Sequence, residues 1–306
     1  MASWTIQGRK VPEELTGTLT EFDGELTDGP AIQKSLAENG YLLLRSALDR
    51  DEVLTAREEI FLSLEQVGEI KPPAIDGVAT GKSQRREKSD DDLGAFWQAV
   101  SEGTQLRAVT HGQRLRDIVG TVLDEPARPH DLMYLRPMVV GKSTPLHYDH
   151  PFFAGNSEKI HTVWIPFGDL EIENGPLMIV EGSQHFTDLV EPILSVDYSA
   201  DQSNETVQNA AYENQNTSEP VSFVADRKAR MLSANFQAGD IVIFTGCMLH
   251  GSLENCSPEG KVRLSCDVRY QPAADSTADT RYFGPNPTGS KGGGYTDMKG
   301  AVPLDE

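Results

Sequence analysis

The feature that most constrains this chain is a histidine and an aspartate separated by one residue, His147 and Asp149. In a β-strand the side chains alternate between the two faces, so residues two apart point into the same space. An imidazole and a carboxylate aimed at one point are two of the three ligands of a facial Fe(II) site, which needs a second histidine. The pair alone is a weak signal, because a polar turn with a solvated aspartate would show the same spacing.

A candidate third ligand, His250, stands after another predicted strand. The turn Gly239-Asp240 and the β-branched run at residues 241–244 lead up to it. Residues 161–167 are predicted to form a further strand, and the turn Asn174-Gly175-Pro176 lies between two apolar runs. These segments predict a β-rich core that can bring distant residues to one site.

Two arginines, Arg263 and Arg269, belong to a later predicted strand at residues 261–270. Their even spacing places them on the same face of that strand. A buried arginine is costly unless an anion pairs with it, and its planar guanidinium suits a carboxylate better than an ammonium does. The strand therefore predicts a site for an anionic ligand such as a dicarboxylate co-substrate.

Together these motifs resemble those of the phytanoyl-CoA dioxygenase family of Fe(II)- and 2-oxoglutarate-dependent oxygenases. The resemblance covers roughly residues 30 to 271 and follows the family's order with similar gaps. The motifs are His147-Tyr148-Asp149, Trp164-Ile165-Pro166, Asn174-Gly175-Pro176-Leu177, Gly182-Ser183-Gln184-His185, Gly239-Asp240, His250-Gly251-Ser252 with Asn255, and Arg263. The resemblance implies a mainly β fold with flanking helices around a double-stranded β-helix, or jelly-roll, core.

The resemblance also implies that His147, Asp149 and His250 are the catalytic residues and the ligands of an Fe(II). Of the three positions left open, 2-oxoglutarate would take two and O2 the last. The implied reaction is hydroxylation of a small-molecule substrate, with release of succinate and CO2. Halogenating relatives replace the metal carboxylate with a small residue, so Asp149 favours hydroxylation. Desaturation, epoxidation, ring closure and a non-catalytic metal-binding barrel remain alternatives.

For the co-substrate, the resemblance implies that Arg263 pairs with the distal carboxylate of 2-oxoglutarate, helped by the Ser252 hydroxyl. Arg269, on the same face, is the alternative anchor. Trp164 would pack beside the co-substrate, and Met133 would line the pocket.

Two long polar segments, residues 71–92 and 186–237, are predicted to be mobile loops that select the substrate at the mouth of the barrel. The first carries a basic cluster at Lys82–Lys88, which is either solvated or meets an anionic group of the substrate. Arg136 is expected either to contact substrate or co-substrate or to form a surface ion pair.

The chain is expected to form a single domain over residues 1–306, since no linker divides it. Residues 1–28 are expected to be an irregular arm, and residues 273–306 a polar tail without regular structure. Helices are predicted at residues 31–38, 49–67, 93–100 and 113–123. In the last of these, the alternation of polar and apolar residues at 114–119 is consistent with either a helix or a strand.

The chain holds 47 acidic and 27 basic residues, a net charge of -20. This charge disfavours nucleic acids and anionic membranes as partners. The chain has no run of about 20 apolar residues, so no transmembrane helix is predicted. The three cysteines and the polar N-terminus predict a reducing, cytoplasmic location. The sequence indicates neither the identity of the substrate nor the oligomeric state.

Overall fold

The structure is a computed structural model that describes residues 3–88, 92–155, 157–201, 203–213 and 219–306. Its strands are β1 (Thr5–Ile6), β2 (Arg9–Lys10), β3 (Thr16–Thr18), β4 (Tyr41–Leu44), β5 (Ala127–Pro129), β6 (Tyr134–Met138), β7 (His161–Pro166), β8 (Leu177–Val180), β9 (Met231–Ser233), β10 (Ile241–Thr245), β11 (His250–Ser252) and β12 (Arg263–Pro272). Its helices are α1 (Gly29–Asn39), α2 (Arg50–Gln66), α3 (Arg85–Lys88), α4 (Leu93–Ser101), α5 (Thr104–His111), α6 (Gln113–Leu123), α7 (His150–Phe153), α8 (Thr187–Leu194), α9 (Asn204–Glu213) and α10 (Pro220–Asp226).

Two open sheets form the core. The larger has the order β4-β10-β7-β12-β5, with β6 also paired to β12, and the smaller has the order β11-β8-β9-β3. Trp164 and Phe244 from the larger sheet share one buried cluster with Ile179 and Leu232 from the smaller sheet. The sheets therefore pack face to face, which is the predicted jelly-roll arrangement.

The ten residues of β12 are all buried, because β7 pairs along one edge and β5 and β6 pair along the other. One set of alternate side chains joins the core under the helices: Leu264, Cys266, Val268 and Tyr270. The opposite face carries a polar series: Arg263, Ser265, Asp267 and Arg269. A buried polar face needs partners or ligands to offset its desolvation, so this side of the strand is where a site is expected.

The four predicted helices are confirmed as α1, α2, α4 and α6. Asp49 caps α2, since its Oδ1 accepts hydrogen bonds from the backbone N–H groups of Asp51 at 2.9 Å and Glu52 at 3.0 Å. Gly40 ends α1 with a φ of 78°, a left-handed conformation that glycine adopts without strain. No helix among the described residues is long and apolar enough to cross a membrane.

Both terminal segments differ from expectation. Within residues 1–28, β1 pairs with β2, and β3 pairs in parallel with β9, through backbone bonds that need no apolar pattern. In the expected tail 273–306, the side chains of Tyr282, Tyr295 and Met298 are buried in the helix-covered core. These apolar residues lack helical or strand periodicity, so the sequence pattern does not reveal them.

The second predicted loop, residues 186–237, is largely helical where it is described, with α8, α9, α10 and the strand β9. Residues 202 and 214–218, within the expected loop, lie outside the described residues. The first predicted loop, residues 71–92, includes the single helical turn of α3, and residues 89–91 likewise lie outside the described residues.

Candidate functional site

His147 and His250 lie opposite each other at the edge of the smaller sheet. The His147 N–H donates to the His250 carbonyl at 2.9 Å, and the His250 N–H donates to the His147 carbonyl at 3.1 Å. The strand expected through His147 is reduced to this one bridge, because Asp149 has helical backbone angles and α7 begins directly after it. The carboxylate of Asp149 therefore reaches the histidines through a turn and not through strand alternation.

The three predicted ligands converge. The Nε2 atom of His147 lies 3.6 Å from Asp149 Oδ1, and that of His250 lies 3.9 Å from Asp149 Oδ2. One ligand atom from each residue lies within 4.8 Å of the others. Among the described residues, no other group of three histidine, cysteine, aspartate or glutamate side chains is arranged to hold a metal ion.

Backbone carbonyls orient both imidazoles. His147 Nδ1 lies 2.9 Å from the Pro145 carbonyl, and His250 Nδ1 lies 2.9 Å from the Met248 carbonyl. A carbonyl only accepts, so each Nδ1 carries the proton and each Nε2 keeps a free lone pair. Burial lowers the pKa of both histidines, that of His147 to about 3, so both are neutral at pH 7 and can act as metal ligands.

The Asp149 carboxylate is held from two other sides. Arg269 Nη2 donates to its Oδ1 at 2.9 Å and its Oδ2 at 2.8 Å, and Thr162 Oγ1 donates to Oδ2 at 2.6 Å. Burial alone would raise the pKa of Asp149, but Arg269 and the two histidines lower it by more than burial raises it. The pKa of Asp149 therefore lies well below its ordinary value. Asp149 is therefore a fixed anion. Sequence reasoning missed Thr162, whose only signal is its place in a predicted strand.

Arg269 is consequently engaged with the candidate ligand Asp149. Its guanidinium carbon also lies 4.2 Å from the ring centroid of Phe153 and 4.8 Å from that of Tyr134. Arg263 shares its face of β12, as predicted, but has a different environment.

Arg263 is a buried cation whose hydrogen-bonding capacity is largely unused. Its Nη1 donates to the Ser265 hydroxyl, but Nε and Nη2 have no hydrogen-bond partner among the described residues. The nearby carboxylate of Asp267 is bound by Arg136. Burial lowers the pKa of Arg263 to about 9, against the opposing effect of Asp267. Such a group fits a carboxylate ligand, because two free N–H donors can bind it side by side.

The other predicted co-substrate residues lie in different places. The Ser252 hydroxyl is buried and accepts a hydrogen bond from the Thr144 N–H at 2.8 Å, which leaves its own proton free to donate. Trp164 packs in the core between the sheets, with its ring 4.8 Å from that of Phe236. The structure does not bring Met133 to the cavity: its sulfur lies 3.5 Å from the Cys266 sulfur, on the helix-covered face of the sheet.

A cavity of 340 Å³ opens beside His147 and Asp149. Its wall is made of the metal-side residues, aromatic side chains and part of the C-terminal segment: Tyr134, Arg136, Thr144, Pro145, Leu146, His147, Asp149, Phe152, Phe153, Ala211, Arg269, Gly289, Ser290, Lys291, Gly294, Asp297, Met298 and Lys299. Tyr134 and Arg136 reach it because alternate residues of β6 face inward. Met133, directly before Tyr134, therefore faces the opposite way.

Among the described side chains of the basic cluster at Lys82–Lys88, none lines this cavity. Arg85 is fully buried and forms an ion pair with the equally buried Glu69, with Nε donating to Oε1 at 2.9 Å. Arg86 pairs with Glu306 at the surface, and the side chain of Lys88 lies outside the described residues. Both arginines of the cluster are thus paired with carboxylates of this chain, so the structure does not support the expectation that they bind the substrate.

Comparisons with known proteins identify a family and relatives of this chain. The family model described as phytanoyl-CoA dioxygenase (PhyH) matches residues 36–263. The 1-deoxypentalenic acid 11-beta-hydroxylase of Streptomyces exfoliatus is 27% identical over 278 residues, covering 85% of this chain and 88% of its own.

Two solved structures share the fold. The non-heme alpha ketoglutarate dependent epimerase SnoN from nogalamycin biosynthesis superimposes with a TM-score of 0.53 at 14% identity, covering 82% of this chain and 85% of its own. The carbocyclase SnoK from the same biosynthesis gives a TM-score of 0.51 at 18% identity, covering 85% and 88%. The predicted jelly-roll core is confirmed.

Proposed function

Since the chain belongs to the phytanoyl-CoA dioxygenase family and is an iron- and 2-oxoglutarate-dependent oxygenase, we propose that His147, Asp149 and His250 bind its Fe(II). Arg263 binds the distal carboxylate of 2-oxoglutarate. The observation that carries this proposal is the convergence of two lone-pair-bearing Nε2 atoms and an ionised carboxylate in one buried place. Two histidines and one carboxylate are the donor set of a non-haem Fe(II) site with open positions.

Iron and 2-oxoglutarate supply the activation of O2 and the oxidation of a substrate C–H bond, with succinate and CO2 as products. The residues of this chain position the reactants. Arg269 and Thr162 fix the orientation of the Asp149 carboxylate, and the carbonyls of Pro145 and Met248 fix the imidazoles. Ser252 supports the co-substrate from β11, and the aromatic wall of the cavity excludes water from the reacting centre.

The substrate is a small molecule that is hydroxylated within the cavity. The relative from Streptomyces exfoliatus is named as a hydroxylase of 1-deoxypentalenic acid and matches most of this chain. The retained Asp149 leaves no room for a halide in its place, which favours hydroxylation over halogenation. We also propose that residues 1–306 act as one domain, because the segments at both ends add strands or core side chains to the same body.

The test is succinate formation from 2-oxoglutarate with Fe(II), O2 and a panel of small metabolites. His147→Ala and His250→Ala should each lose iron and succinate formation, with circular dichroism unchanged. His185→Ala is the matched control, because His185 is exposed and lies outside the converging group. If His147→Ala retains one bound iron and full turnover, the assignment is wrong. Iron binding without any succinate formation would favour the non-catalytic barrel.

A further inference from the structure

Part of the cavity wall comes from the C-terminal segment, residues 289–299. This segment contributes Lys291, Asp297 and Lys299, in addition to the buried Met298. The proposed metal ligands and co-substrate anchor lie outside this segment, so its side chains can contact a bound substrate.

The cavity is positively charged although the chain has a net charge of -20. Four cations line it, Arg136, Arg269, Lys291 and Lys299, against two carboxylates, Asp149 and Asp297. Both arginines are already paired, Arg269 with Asp149 and Arg136 with Asp267. The two lysines are therefore the cations that are left to meet a ligand.

Lys299 is the better placed of the two lysines. Its Nζ donates to the Ser143 carbonyl at 3.2 Å, and among the described residues no carboxylate lies within 4.0 Å of it. Lys299 is exposed to solvent, and partial burial together with the positive charges of Arg136, Arg263 and Lys142 lowers its pKa to about 8. An anion beside Nζ would relieve this repulsion, whereas a neutral ligand would not.

The backbone at Lys299 is fixed by its neighbours. Arg85 Nη1 donates to the carbonyls of Gly300 and Ala301, the latter at 3.1 Å. Gly300 lies so close to the Trp97 ring that an added Cβ would overlap it. Because the residues on both sides of Lys299 are buried, its ammonium group is presented from a rigid support.

We propose that Lys299 binds a carboxylate of the primary substrate and thereby selects an apolar molecule that carries one acid group. The aromatic rings of Tyr134, Phe152 and Phe153 line the same cavity as Lys299 and supply the apolar surface for such a molecule. The inference rests on the proposed function, because it assumes that this cavity is the substrate site. It adds the chemical class of the substrate and the residue that recognises it.

The test compares polycyclic terpenoid monocarboxylic acids with their methyl esters, with 1-deoxypentalenic acid in the set. Each ligand is titrated anaerobically into the Fe(II)- and 2-oxoglutarate-loaded protein, and its Kd is read from the visible absorbance of that complex. The parent protein should bind at least one acid about tenfold or more tightly than its ester, as expected for a charge-assisted hydrogen bond. Lys299→Met should abolish this preference by weakening the acid alone, and Lys299→Arg should retain it.

Lys142→Met is the matched control, because it removes the same charge near Lys299 from a residue that does not line the cavity. It should leave the preference for the acid unchanged. If Lys299→Met weakens 2-oxoglutarate binding in the absence of any acid, Lys299 serves the co-substrate and the proposal is overturned. It is also overturned if no acid binds the parent protein more tightly than its ester. Ligand-dependent shifts in Tm, measured without iron, separate these outcomes from a failure of the proposed metal site.

Discussion

Replacing Arg263 with methionine should have two effects of opposite sign. Arg263 is 2% exposed and two of its nitrogens have no partner among the described residues, so in the ligand-free protein it is a buried charge that is only partly compensated. Methionine fills much of the same volume without the charge. The variant should therefore be more stable than the parent when no ligand is present, yet bind 2-oxoglutarate more weakly.

The size of both effects can be worked out from the contacts. Two charge-assisted hydrogen bonds from Nε and Nη2 to a carboxylate contribute about 2–3 kcal/mol beyond the desolvation already paid by the buried guanidinium. That range corresponds to a roughly 30- to 150-fold increase in the Kd of 2-oxoglutarate. The gain in stability should be about 1 kcal/mol, reduced by the loss of the hydrogen bond to Ser265.

Isothermal titration of the Fe(II)-loaded protein with 2-oxoglutarate under anaerobic conditions measures the first effect, and urea denaturation of the metal-free protein measures the second. Arg269→Met is the comparison. It should leave the Asp149 charge buried with fewer donors, so it should lower stability and iron affinity more than 2-oxoglutarate affinity. The reasoning is refuted if Arg263→Met leaves the Kd of 2-oxoglutarate unchanged while Arg269→Met raises it. A loss of several kcal/mol in the ligand-free Arg263→Met protein would equally show that Arg263 has a structural partner.

Three further outcomes are expected. Asp149→Ala should abolish iron binding. Unlike His147→Ala, it should also destabilise the metal-free protein by about 3–5 kcal/mol, because Arg269 loses its buried counter-charge. Equal urea midpoints for the two variants would contradict this expectation. Burial, followed by the positive charge of Arg107, lowers the pKa of His111 to about 3, below the unfolded value of 6.5. The stabilisation that the neutral His111 gives the folded protein is therefore fully present above pH 6.5. It is lost as the pH falls from 6.5 towards 3, because only the unfolded chain takes up the proton in that range. His111→Gln should flatten the fall in unfolding free energy between pH 7 and pH 5 by of order 1 kcal/mol, and an unchanged slope in denaturation series would argue against a neutral buried imidazole. Ala211→Phe, in the cavity wall on α9, should block substrate-stimulated succinate formation while the Kd of 2-oxoglutarate stays at the parent value; normal turnover would mean that α9 does not border the bound substrate.

The sequence was sufficient to predict that His147, Asp149 and His250 converge, because each stands in a short motif. The route was different from the prediction, since Asp149 reaches the histidines through a turn and not through strand alternation. It also predicted that Arg263 and Arg269 share a face, since that follows from strand alternation alone. The residues alone did not assign them different roles, and only the resemblance favoured Arg263 over Arg269 as the co-substrate anchor. The contact between Arg269 and Asp149 joins residues 120 positions apart, and no local pattern records such a contact.

Contacts between residues far apart in the sequence also explain why the basic cluster and the C-terminal segment differ from expectation. Arg85 was expected to be solvated or to meet the substrate, because a run of cations is usually exposed. It is buried because Glu69 neutralises it and because carbonyls 215 and 216 positions away accept its N–H groups. The segment 289–299 lacks periodicity, so only the folded chain shows that it completes the cavity.

The polar face of β12 makes the spacing within that strand as important as the identity of its residues. Arg263 and Arg269 are oriented by a single uninterrupted alternation, and a strand shifted by one residue turns every following side chain to the other face. An insertion or deletion of one residue between them would leave one arginine facing the site and turn the other towards the helices. Natural variation in length is therefore expected to be absent between these two positions and to accumulate in the connections around the barrel, even where point substitutions within β12 are tolerated.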